Sequence, residues 1–245
     1  MYLTTAHKST TPPVDTRVTQ GINPLLYGYR EVCMSYLWTD RAAQLLGMIP
    51  PLAEIQQDSS NALAVALEIL FEHSPVLIST LQPQLRDILK SSSLPLESYT
   101  QLINYAIAQI MSWDLSAQSQ FISGHPRIGE NKNLSMLSAK EQGSGGVIPT
   151  SPEVLARLGH LNACYEIRYP GLRYITFVNG RTRLAIAEEM EDMLCLPHSL
   201  SPEDPPFDTI HPVDVSSEEW KKELNRAVVD IGLIAKSRLG ALGVV

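Results

Sequence analysis

Three places along the chain hold residues of useful chemistry in restrained surroundings. The first is Gly124-His125-Pro126. The preceding LSAQSQFIS reads as helix, Gly124 can take the left-handed conformation that ends one, and Pro126 drives His125 toward an extended backbone. An imidazole on a stiff corner, titrating at about pH 6.5 when unperturbed, suits general acid/base work. The same tripeptide also reads as a partly exposed histidine at a helix stop. The second place is Ser138-Ala-Lys-Glu141-Gln142, where Ser138-x-x-Glu141 forms a capping box. A helix start presents unpaired backbone N–H groups that receive anionic or carbonyl oxygens, with Glu141 and Gln142 beside them. The third is Arg238. Leu224, Val228, Ile231 and Ala235 step by 4, 3 and 4 along one helix face, and a further step of 3 lands on Arg238. A guanidinium on a buried stripe needs an anion from the protein or from a ligand, unless it snorkels out at a frayed helix end.

Other constellations carry less. Cys195-x2-His198, followed by His211, lacks the second ligand pair of a zinc site. His160 and Cys164 stand one helical turn apart without a third ligand, and read as core residues. GxGxxG, P-loop and GxSxG patterns do not occur, which removes nucleotide and serine-hydrolase readings.

The elements that must position these groups are helices. ALAVALEILFE, opened by Ser60-Asn61, ends before Ser74-Pro75. VLISTLQPQLRDIL follows with Pro83 bending or splitting it, and then LESYTQLINYAIAQIMSW carries Leu102, Tyr105, Ala106 and Ile110 at helical spacing. Ser151-Pro152-Glu153 opens VLARLGHLNACYEIRY, Thr182 caps RLAIAEEMEDML, and Ser216 to Glu219 is a capping box for a helix running to about Leu239. A further helix, with an interruption near Trp38, is expected between Tyr29 and Met48. Tyr174 to Val178 is β-prone, too short for a helix, and expected to be extended. Residues 196–213 hold five prolines and read as a long surface loop. The fold class expected is all-α: a flexible leader over residues 1–25, then one helical domain over 26–245 with a short extended segment at 174–178.

Composition agrees with a globular chain. Of 245 residues 44% are hydrophobic and 18% charged, and Lys+Arg number 19 against 26 for Asp+Glu, giving a net charge of -7. That sign offers no general attraction to phosphate backbones or anionic lipid, so neither nucleic acid nor membrane is expected as a partner. Three scattered cysteines without a CxxC suit a reducing compartment. No apolar run reaches the roughly 20 residues of a membrane helix. A cytoplasmic setting is expected; the N-terminus lacks the apolar core of a secretory signal, and the last residues are not a peroxisomal tripeptide.

Taken in order, Glu72-His-Ser-Pro75, Gly124-His-Pro-Arg-Ile-Gly129, Ser138-Ala-Lys-Glu-Gln142, Leu161-Asn-Ala-Cys-Tyr165, Tyr174-Ile-Thr-Phe-Val178 and Gly180-Arg181 resemble the 2-oxo-4-hydroxy-4-carboxy-5-ureidoimidazoline (OHCU) decarboxylase family. The resemblance is strongest over residues 48–240. The pattern departs from it at Arg127-Ile128, where an acidic residue and Leu are usual, at Tyr169-Pro-Gly171 and at Asn179. The resemblance implies an all-helical fold, a homodimer, and decarboxylation of OHCU to (S)-allantoin and CO₂ in urate degradation, with no metal or organic cofactor. It leaves a peroxisomal location open, since this route is often peroxisomal in eukaryotes. It implies that His125 is catalytic with Glu141, and that Pro126, Ser138, Gln142, Tyr174, Ile175, Thr176, Phe177, Val178 and Arg238 contact the substrate. The substrate's carboxyl-bearing carbon adjoins a C=N bond, so it supplies its own electron sink. His125 would move the proton, Glu141 polarise the hydroxyl or the imidazole, and Arg238 with the helix start at 138–142 hold oxygens. Two alternatives are a lyase acting on another small carboxylated heterocycle and a non-catalytic helical binding module. Convergence of His125, Glu141, Gln142 and Arg238 on one small-molecule pocket distinguishes the enzyme from the module.

Overall fold

Among the described residues, capping residues and apolar stripes mark out eight α-helices and no strand. The computed structural model describes residues 48–130, 137 and 150–244. The expected leader, the helix expected between Tyr29 and Met48, and the site candidates Ser138, Glu141 and Gln142 lie outside the described residues, Met48 alone excepted. The helices are α1 (Leu52–Gln57), α2 (Ala62–Phe71), α3 (Gln82–Ser91), α4 (Tyr99–Met111), α5 (Leu115–Ser123), α6 (Pro152–Arg168), α7 (Arg183–Met193) and α8 (Glu218–Leu242). The all-α class expected from the sequence is the class the chain adopts.

Side-chain oxygens close the starts of α4 to α8, satisfying N–H groups that the helix itself leaves without acceptors. Ser98 accepts from the N–H of Gln101, Asp114 from Ala117, Ser151 from Val154 and Thr182 from Ala185, at 2.8–3.4 Å. Two expected starts differ in detail. Ser217, not Ser216, caps α8, accepting from Trp220 at 3.2 Å. Ser216 is held by Asp214 through both its N–H and its hydroxyl, and Glu219 instead receives Arg168. Asn61 makes no cap for α2: it sits at φ 61° and accepts from Gln82 at 3.1 Å. Before α3 the chain takes a π-helical turn over Leu77–Leu81, leaving Pro83 in the first turn of α3, where its missing N–H costs nothing.

The long helix α8 is the element the core is built around. Leu224, Val228, Ile231 and Ala235 are buried along the predicted stripe, and α8 packs against α2, α4 and α5, while α6 packs against α7. Residues 172–178 are non-helical and lack a sheet partner. They end in a tight turn with Asn179 at φ 47° and Gly180 at φ 76°, closed by Arg181 N–H on the Val178 carbonyl at 3.0 Å. Positive φ at both central residues suits an Asn-Gly pair. The 196–213 segment is irregular apart from one short turn at Phe207–Thr209. Among the described residues, no helix is long and apolar enough to cross a membrane.

Candidate active site

His125 follows α5 at a corner whose shape depends on Gly124. That glycine is right-handed (φ −72°, ψ −19°), not left-handed as the helix-stop pattern predicts. What requires glycine is closeness: a Cβ there would stand 2.8 Å from the Cβ of Ser74. The missing side chain lets the end of α5 approach the segment after α2. The His125 N–H bonds to Ile122 at 3.1 Å, and its Nδ1 lies 2.9 Å from the Phe121 carbonyl oxygen. A carbonyl only accepts, so Nδ1 carries the proton and Nε2 the lone pair. Nε2 is buried and makes no hydrogen bond of normal geometry among the described residues. Burial pulls the imidazole down to about 4; the positive charge of Arg238 acts the same way, while the Phe121 carbonyl, Glu72 and the Phe71 backbone act against it. The side chain is therefore neutral at pH 7, with its basic nitrogen uncommitted.

Arg238 arrives from α8, where the stripe predicted an inward face, and only 3% of it is exposed. Its Nη1 donates to the carbonyls of Ile69 and Leu70, each at 3.1 Å, and its Nη2 to Glu72 Oε1 at 2.8 Å. The carbonyl end of α2 carries the negative end of the helix dipole and favours a cation there. Glu72, the residue that ends α2, has φ 64° and ψ 153°. Non-glycine residues rarely adopt that conformation, which costs about 1–3 kcal/mol and persists where surroundings enforce it. The sequence placed Glu72 within a motif but not among the site residues. An acid just beyond an apolar helix was the available signal.

The third wall is the run Tyr174–Val178, held by guanidinium groups instead of a β-ladder. Arg226 donates to the Ile175 carbonyl at 2.8 Å, and Arg181 to the carbonyls of Phe177 and Val178 at 2.5 and 3.0 Å. Arg181 also donates to Thr176 Oγ1 at 2.9 Å and pairs with Glu189. Arg226 is in turn fixed by Glu223 and Asp230, stands 5.4 Å from the Tyr174 ring centroid, and shares Glu223 with the hydroxyl of Tyr165. Arg173 donates to the His125 carbonyl, tying this wall to the corner. Sequence reasoning quoted Arg181 within a motif but not as a site residue and passed over Arg226, because their grip on this wall is on backbone oxygens.

These elements surround a cavity of about 440 Å³. Its lining brings together His125, Pro126, Arg238 and all of Tyr174, Ile175, Thr176, Phe177 and Val178, and adds Glu72 and Arg181. Leu137, the residue before Ser138, also lines it. Arg127, a departure from the family pattern, turns to Glu166 through two bonds of 2.6 and 2.7 Å and to Glu130. The residues weighed for metal have other partners: His198 meets Asp192 at 2.9 Å, and His160 meets the Pro205 carbonyl at 2.9 Å and stacks on Phe207. Among the described residues, no cluster of three or more His, Cys, Asp or Glu could hold a metal ion.

Fold and cavity together define an all-α protein with a pocket of small-molecule size. The OHCU decarboxylase family model matches residues 56–197, more than half of the chain, and the chain belongs to that family. It is accordingly a carboxy-lyase acting on a small molecule in urate degradation. The matched span includes Glu72, His125 and Tyr174–Val178 and ends before Arg238. Comparisons with curated proteins and with solved structures found no match.

Proposed function

We propose that the cavity decarboxylates OHCU to (S)-allantoin by acid/base catalysis without a metal or organic cofactor. The bond from the ring carbon to the carboxylate breaks, CO₂ leaves, and the bonding pair enters the adjacent C=N, whose nitrogen takes a proton from water. The hydroxyl proton on the former carboxyl-bearing carbon passes to His125 Nε2. His125 then returns a proton to the neighbouring ring carbon, and the hydroxyl becomes the carbonyl of allantoin. Because the imidazole is fixed to one wall, delivery from that wall selects one enantiomer. Arg238 holds the substrate's anionic oxygens, Pro126 and the 174–178 run shape the pocket, and Glu141, with Ser138 and Gln142, polarises the hydroxyl. The homodimer and the cytoplasmic setting belong to the same reading.

The observation that carries this reading is His125 itself. Its Nδ1–H is committed to Phe121, its Nε2 has no partner among the described residues, and its ring lines the same cavity as Arg238. Proton transfer by a placed imidazole contributes about 10²–10⁴-fold in rate. The test supplies OHCU made in place by uricase and hydroxyisourate hydrolase and follows (S)-allantoin by circular dichroism. The wild-type protein should form it ahead of the spontaneous racemate, and folded His125→Ala should lose about 10²–10⁴-fold in decarboxylation. Near-full turnover by that variant would remove His125 from the mechanism.

A further inference from the structure

We infer that Glu72 is a positioning residue for this reaction: its carboxylate, with the carbonyl end of α2, fixes the Arg238 guanidinium beside His125 and partly offsets its charge. The inference rests on the proposed role of His125 as the proton carrier. Three acceptors among the described residues engage the guanidinium. Ile69 and Leu70 share Nη1, and Glu72 takes Nη2, across 166 residues of sequence. The carboxylate reaches that place because residue 72 turns out of α2 at φ 64°, a conformation a longer helix would not produce. Glu72 and Arg238 both line the cavity, so the compensation takes place at the wall the substrate meets.

The consequence concerns a substrate that loses its own negative charge. An uncompensated guanidinium would hold the carboxylate strongly, and that hold would vanish as CO₂ leaves; ground-state binding of this kind lowers KM without raising kcat. A guanidinium already engaged by Glu72 orients the anion with less of that penalty. Glu72 also acts on His125. Among the described residues, the charges facing the imidazole are Arg238 from α8 and Glu72 after α2, with Arg173 on its carbonyl and Arg127 two residues on, the latter engaged by Glu130 and Glu166.

The experiment compares Glu72→Gln, Glu72→Asp, Arg238→Met and the double variant Glu72→Gln/Arg238→Met in the full chain. In Glu72→Gln, kcat for OHCU should fall about tenfold while KM falls or stays constant. The ring signals of His125, followed by NMR without substrate, should titrate at lower pH than in the wild type, and Glu72→Asp should restore part of that shift. If Glu72 works through Arg238, adding Glu72→Gln to Arg238→Met costs nothing further in kcat/KM. An unchanged His125 titration in Glu72→Gln, or losses that multiply in the double variant, would overturn the inference. If Glu72→Gln does not fold, Glu72→Asp and Arg238→Met carry the test: Arg238→Met must raise the His125 titration, and Glu72→Asp must change kcat more than KM. Full turnover by His125→Ala would defeat the underlying mechanism while leaving the titration result intact, so the two failures are separable.

Discussion

Arg157 and Arg238 are alike in most local respects. Each is almost wholly buried, each meets a glutamate at 2.7–2.8 Å, and each donates to two backbone carbonyls. Around Arg157 the accounts close within the protein. Glu191 is as buried as its partner, at 1% exposure, and also receives the N–H of Ser199, while Arg157 holds the carbonyls of Ser201 and Asp204. That pair fastens α6, α7 and the 196–213 segment to one another and lines no part of the 440 Å³ cavity. Around Arg238 the glutamate is 15% exposed, its backbone is strained, and an imidazole whose Nε2 has no partner among the described residues lines the same hollow. A buried ion pair is thus no sign of chemistry by itself. Adjacency to a cavity and to an uncommitted polar atom distinguishes the two.

The sharpest way to break this contrast is to replace each arginine by methionine. Arg157→Met strands Glu191 in the interior and should lower stability by about 3–5 kcal/mol in urea unfolding, with turnover per folded molecule unchanged. Adding Glu191→Leu should recover most of that loss, because an apolar pair of similar size carries no desolvation penalty. Arg238→Met should do the reverse: a smaller loss of stability, since Glu72 reaches water, and about a 10²–10³-fold fall in kcat/KM. If the two variants exchange these behaviours, the assignment of one pair to structure and the other to function fails.

A subtler effect separates the two neighbourhoods by pH. Folding lowers the pKa of His125 from the ordinary value to about 4. As pH falls below about 6.5 the unfolded chain takes up this proton first, so the contribution of a neutral His125 is complete above that pH and is lost as pH drops toward 4. The loss sums to about 3 kcal/mol. Unfolding free energies measured at pH 7 and pH 4.5 should fall more steeply with acid in the wild type than in His125→Ala.

Much of the site was legible in the sequence where a short-range rule governs. The 4-3-4-3 stepping of Leu224, Val228, Ile231, Ala235 and Arg238 marked an inward guanidinium, and Ser151 and Thr182 marked helix starts, because both depend on neighbours within a turn or two. The ordered motifs brought out His125 and the 174–178 run. What escaped depends on distant partners. Periodicity tells which face Arg238 occupies but not that Glu72 waits 166 residues away, and nothing in VLARLGH says that Arg157 meets Glu191. Gly124 was read as a conformational stop, whereas a contact with Ser74 explains it. The start of α8 moved by one residue because Asp214 competes for Ser216.

The wall over residues 174–178 has one further property. Its arginine straps grip oxygen atoms at 175, 177 and 178, and among the described residues only the Phe177 amide hydrogen of this run finds a protein acceptor, on Asp230. A β-ladder would have tied down donors and acceptors together. Here the amides at Tyr174, Ile175, Thr176 and Val178 have no ladder partner in a run that lines the hollow, so deuterium uptake along this stretch becomes a gauge of occupancy, quick in the empty protein and slowed when a guest covers the run.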